Sequence, residues 1–187
     1  MNPIENLKSE HDEIILMLDV LERVSEKIAS CESVPTDHLK QILNFLKIFA
    51  EEFHNGKEET YLFAEIKEAE IPESKDLLAV MTSEHGRGRG FIEDMNDLLE
   101  SSEKGQSGSL MVFTTPAQQY INLYRSHIWK ENVVLFTMAE EKLSADKLSL
   151  LGRHFEELEK EKMGPRDRKI FRETLEKLSK MYLGRGC

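Results

Sequence analysis

Two stretches of this chain repeat one pattern of residue types that can hold metal. His54-Asn55-Gly56-Lys57-Glu58-Glu59-Thr60-Tyr61-Leu62-Phe63 and His127-Ile128-Trp129-Lys130-Glu131-Asn132-Val133-Val134-Leu135-Phe136 both read His-x-x-Lys-Glu-x-x-x-Leu-Phe. Ahead of each stands Ser-Glu-His, as Ser9-Glu10-His11 and Ser83-Glu84-His85. On a helix, positions i and i+4 share a face, so His54 with Glu58 and His127 with Glu131 can each aim both side chains at one place. Four imidazoles and two carboxylates, delivered in two equal halves, suit a two-metal centre.

The elements that must position these groups follow from apolar spacing. A first helix is expected from Asn2 as N-cap and Pro3 at the first helical position. Its stripe is Ile4, Leu7, Ile14, Leu18, Leu21, Val24 and Ile28, with His11 in register. Cys31 to Pro35 reads as a connection, and Thr36 or Asp37 as the cap of a second helix to about Ala69. That helix turns Leu43, Leu46, Ala50, His54, Glu58 and Leu62 inward. Ile71-Pro72 breaks the chain. A third helix carries Leu78, Met81, His85, Gly88, Ile92, Met95 and Leu99, and Ser101 to Ser109 reads as the longest loop. Thr115-Pro116 is expected to open a fourth helix with Tyr120, Leu123, His127, Glu131, Val134 and Met138 on one side. Ser144 caps a fifth to about Lys162, and Ile170 to Tyr182 forms a last amphipathic helix. No segment alternates with period two.

The fold class expected is all-α: an up-down-up-down four-helix bundle with two additional C-terminal helices. Residues 1–187 form a single domain in this reading, with the metal-binding bundle over about 2–141 and the helical extension over about 144–183. The first two helices are related to the next two by a rough two-fold axis through the metals.

A lone histidine on an apolar stripe is usually a core histidine with a hydrogen-bond partner. Here four fall on the core stripes of four helices, and two bring an inward glutamate one turn on. An unpaired buried carboxylate is costly, so six buried polar groups demand compensation, and metal cations satisfy all six. Other candidates read as structural. His154 is a surface or packing residue and His38 is solvated at a helix start. Tyr61, Tyr120, Tyr124 and Trp129 pack, and Met17, Met81, Met95 and Met138 fill the core. Glu156 to Glu161 form a solvated helix face. The run Gly86-Arg87-Gly88-Arg89-Gly90 has two readings: a local weakness in the helix, or, through Gly88, room beside the metals for a small ligand.

The paired motif resembles the hemerythrin-like superfamily over about residues 4 to 140. The resemblance implies that His11, His54, His85 and His127 are terminal ligands and that Glu58 and Glu131 bridge both metals. It implies two iron ions in an oxo- or hydroxo-bridged di-iron centre; imidazole and carboxylate spacing alone equally suits manganese or zinc. Oxygen-carrying members have a fifth histidine one turn after the third-helix ligand, where this chain has Arg89, which cannot ligate a metal. The pattern is more similar to the branch that includes iron-centre repair proteins. Those carry a cysteine-containing N-terminal segment, whereas this sequence opens at the first helix, which speaks against repair.

Composition narrows the partners. With 25 basic against 35 acidic residues the net charge is −10, which argues against nucleic acid and against an anionic membrane surface. No apolar run approaches the ~20 residues of a membrane span, and the N-terminus has no signal pattern, so a cytoplasmic location is expected. Cys31 and Cys187 are too far apart in kind and place to suggest a disulfide or a thiolate metal site. Three functions follow. The centre binds or senses dioxygen, nitric oxide or peroxide; or it is an oxidoreductase on the same molecules, which would need a separate electron donor; or it stores, delivers or repairs iron.

Overall fold

The computed structural model describes residues 2–184, and among them contiguous helical stretches form six helices with no strand. Helix α1 spans Pro3–Ala29; the Asn2 side chain accepts a 2.9 Å bond from the Ile4 amide and Pro3 occupies the first turn, as the sequence indicates. Helix α2 covers residues 36–68 and begins without a side-chain cap, so neither Thr36 nor Asp37 plays that part. Helix α3 spans Ser74–Glu103, and α4 covers residues 109–142. Helix α5 (Ala145–Lys162) is capped by Ser144, and α6 spans Pro165–Leu183.

Helices α1 to α4 run up-down-up-down and close a ring in which each packs on the one before and the one after. Helix α5 lies against α1 and α2, and α6 lies along α1. No helix among the described residues is long and apolar enough to cross a membrane. Cys31 is exposed on the turn after α1, with a left-handed backbone (φ 59°). The second cysteine considered, Cys187, lies outside the described residues.

The fourth helix differs from expectation. It starts at Ser109 rather than at Thr115-Pro116, so Pro116 is inside it. Proline there removes one bond to the carbonyl four residues back, which belongs to exposed Val112. Fully buried Phe113 holds the preceding turn onto the bundle all the same.

Helices α2 and α4 also contain π-helical stretches, Phe45–His54 and Glu58–Leu62 in α2 and Glu131–Leu135 in α4. These widened turns change the face each helix presents. In α4, Leu135, Phe136 and Ala139 are buried, whereas Val134 is exposed and Met138 only half-buried, contrary to plain α-helical spacing. The interior is then two apolar clusters. One contains Ile14, Leu18, Leu46, Phe49, Ile92 and Tyr120; the other contains Ile4, Leu7, Leu62, Phe63, Met81 and Phe136. All six candidate ligands fall between them in sequence on every helix.

Candidate metal centre

His11, His54, Glu58, His85, His127 and Glu131 are all buried, and their ligating atoms meet at one level of the bundle. They form two groups of four. His11, His54, Glu58 and Glu131 make one; Glu58, His85, His127 and Glu131 make the other, with donor atoms inside each group within 4.8 Å of one another. Each group has its own pair of histidines, and both groups contain both carboxylates. His127 Nε2 lies 3.0 Å from Glu131 Oε1, His11 Nε2 3.2 Å from Glu131 Oε2, and His85 Nε2 3.5 Å from Glu58 Oε2.

What holds the rings is a second set of residues. Every histidine uses Nδ1–H outward: His11 donates to Asn132 (2.9 Å), His54 to Glu10 (2.9 Å), His85 to Glu59 (2.7 Å) and His127 to Glu84 (2.9 Å). That leaves each Nε2 facing the centre, the orientation a metal-ligating imidazole needs. The acceptors obey the repeat. Glu10 and Glu84 are the middle residues of the two Ser-Glu-His motifs, while Glu59 and Asn132 follow the two inward glutamates. The motif lysines complete the scheme: Lys57 donates to Glu10 at 2.5 Å and Lys130 donates to Glu84. Its phenylalanines stack across the halves, Phe63 on His85 (5.9 Å) and Phe136 on His11 (5.3 Å). Reading the sequence for ligands alone leaves these residues without roles. The signal was their recurrence in both copies.

The centre is electrostatically incomplete as a set of side chains. Both oxygens of Glu58 and of Glu131, and Nε2 of His11 and His54, are buried with no hydrogen-bond partner. Buried carboxylates in that condition draw positive charge. Burial works against a charged ring, yet the carboxylates outweigh it, lifting His85 to about 9 and His127 to about 10. His11 is raised by Glu131 and Glu58 against the same desolvation. Burial likewise opposes ionisation of Glu131, but His127 and His11 hold it well below the usual carboxylate range. Protons on the rings thus answer the demand in part. Divalent cations coordinated between bare Nε2 and carboxylate oxygens would answer it more fully, so the donor set fits metal.

Several other residues take places different from those expected. A Cβ at Gly88 would meet Tyr124 Cε2 at 2.6 Å and Glu51 Oε1 at 2.8 Å, so this glycine makes room for those side chains, not for a ligand beside the metals. Tyr120 and Tyr124 are buried as expected, but both phenols bond to Glu51. Trp129 does not pack; it is 61% exposed. His38 is half-buried against Tyr182, 2.6 Å from its hydroxyl. His154 and Tyr61 pack on each other at 4.9 Å, as read. Arg89, in place of a fifth histidine, donates to Glu59 at 3.1 Å.

An all-helical bundle whose helices each bring histidine to one buried layer, two of them with carboxylate one turn on, defines a class of cation-binding bundle proteins. Residues 2–139 match the hemerythrin HHE cation binding domain, well over half of the chain, and the chain belongs to that family. It is also similar to uncharacterized proteins of Mycobacterium bovis and Mycobacterium tuberculosis, 21% identical over 160 residues that make up 86% of this chain. It spans 62% of the length of those relatives.

Proposed function

We propose that this is a non-haem di-iron protein that binds dioxygen, nitric oxide or peroxide at a carboxylate-bridged centre. One observation carries the reading: the two donor groups have separate histidine pairs but the same two glutamates. Sharing of that kind is what bridging requires. In this reading His11 and His54 hold one ion, His85 and His127 the other, and Glu58 and Glu131 give an oxygen to each. Four protein donors per ion leave positions open to a small exogenous ligand. Two carboxylates only partly neutralise two ferrous ions, so anionic oxygen ligands are favoured. Iron is taken from the family resemblance, since this donor set also accepts manganese or zinc. Turnover of the same ligands with a separate electron donor is a second reading, favoured by the carboxyl–phenol pair of Glu51 and Tyr124 beside His127.

Metal analysis of aerobically purified protein, with its visible spectrum, tests the proposal. Two irons per chain and an oxo-to-iron absorption band are expected. Glu58→Ala or Glu131→Ala should lose both ions, because each carboxylate serves both, whereas His11→Ala should weaken chiefly one. Two tightly held metals in Glu58→Ala would sink the bridging assignment, and zinc or manganese without iron would sink the choice of metal.

A further inference from the structure

Glu51 is buried in the bundle but is no part of the donor set. It stands on the π-helical stretch Phe45–His54 of α2, and three helices converge on it. From α4, Tyr124 donates its phenol to Oε1, and the Tyr120 hydroxyl lies 3.4 Å from the same oxygen. From its own helix, Asn55 donates to Oε2 at 2.9 Å and to the Tyr124 oxygen at 2.8 Å. From α3, Arg89 stands 3.8 Å from Oε2, and Gly88 leaves out the side chain that would part Glu51 from Tyr124. Apolar residues would pack this position with less loss of solvation, so the cluster is not explained by stability.

Its two sides lead to different places. Glu51 and Arg89 line a groove of about 650 Å³ that opens between α2 and α3, with Asn44, Lys47, Ile92 and Asn96 among its walls. On the other side the Tyr124 ring lies 5.5 Å from the ring of His127. A carboxyl thus reaches the solvent groove, and its phenol partner reaches a residue of the centre.

We infer that Glu51 and Tyr124 form a proton relay between the α2–α3 groove and the metal centre. This rests on the di-iron reading above, in which peroxide or a dioxygen-derived ligand takes up protons when it reacts or leaves. Glu51 picks up a proton from water in the groove. The carboxylic acid passes it to the Tyr124 oxygen while the phenol releases its own proton inward. Only O–H bonds break and form, and no electron moves. The charged or titratable groups facing Glu51 are Tyr120 and Tyr124 from α4 and Arg89 from α3, the last tied to Glu59. Glu52, Lys47 and Glu93 line the groove beside it. Burial makes the carboxyl easier to protonate, while Tyr124, His85 and Arg89 oppose this; the net shift is upward, as a proton carrier needs.

The test uses the full-length, iron-loaded protein with Glu51→Gln and Tyr124→Phe, both of which keep shape. Stopped-flow reaction with hydrogen peroxide is followed from about pH 5 to about pH 9 in water and heavy water. Either variant should slow the wild-type rate about tenfold or more. The pH profile should flatten and the solvent isotope effect should change, at unchanged iron content and azide affinity. Infrared spectra, which need no metal, should show a protonated-carboxyl band that titrates, exchanges promptly in heavy water and is absent from Glu51→Gln. Variants that react as wild type does, or a missing or slowly exchanging band, overturn the relay alone. A wild type that holds no iron or leaves peroxide untouched defeats the di-iron reading, and the relay with it.

Discussion

Lys57 and Lys130 occupy equivalent places in the two motifs but not equivalent surroundings. Lys57 is fully buried, bonded to Glu10 and to Asn6 at 2.8 Å, with its ammonium 4.0 Å from the Phe53 ring centre. The Lys130 side chain is 23% exposed and its partner Glu84 13%. Removing one partner of a buried pair strands the other charge. Lys57→Met should therefore cost about 3 kcal/mol in urea unfolding of the metal-free protein. Lys130→Met should cost under about 1 kcal/mol, because water solvates what remains. Equal losses would show that burial does not separate the two pairs. The letters of this scheme were legible in the sequence, since Ser-Glu-His and Lys-Glu both recur. The pairings were not, because each acceptor sits on a different helix from its histidine, and linear spacing carries no information across helices.

At the scale of the element, the π-helical stretches explain why the motif steps by four. Leu46, Ala50, His54, Glu58 and Leu62 are all buried. On a regular α-helix each step of four overshoots a turn by about 40°, so four steps would carry Leu62 roughly 160° off the core. Turns with more residues each undo that drift. The second copy does the same with His127, Glu131 and Leu135, and its π-helical turn brings Leu135 and Phe136 inward. Helix identity and approximate limits could be read from apolar spacing; the extra residue per turn could not, because a short run of fours suits either geometry. Deleting Val133 should restore α-helical winding and turn Leu135 and Phe136 by roughly 100° away from the core. With two large side chains displaced, a loss of about 3 kcal/mol or more is expected, read as a lower melting temperature. A deletion variant as stable as the parent would refute this account of the turn.

Taken whole, the molecule is a polar layer held between two apolar clusters, so the charge state of that layer couples to folding. Sequence reasoning placed the titration of the ligand histidines near the free value of ~6.5. The structure moves it upward, to about 9 for His85 and about 10 for His127, because buried carboxylates face them. Raised histidines stabilise the metal-free fold fully below the unfolded pKa, and that contribution is lost as pH rises through the folded one. Metal ligation needs the same rings neutral, so protons and metal compete. Heat stability of metal-free protein should fall between pH 7 and about 10, while metal-loaded protein is spared. The gap between them should widen over that range and narrow toward acid. Matched chelated and loaded samples, melted across pH, check this; a gap independent of pH would break the coupling.

The sharing of Glu58 and Glu131 also bears on ancestry. His11 bonds to Asn132 and His85 to Glu59, so each half leans on the other through the same motif position. A single two-helix hairpin, paired with a copy of itself about a dyad, would make those reciprocal contacts as an isologous homodimer. Fusing the copies through one turn yields this chain, and fusion frees them to diverge. The divergence is visible: α5 and α6 pack chiefly on the first hairpin, while Arg89 and the open groove belong to the approach past the second. One ancestral symmetric pair of positions has thus become a sheltered position and an approachable one, and chemistry at the two need no longer be the same.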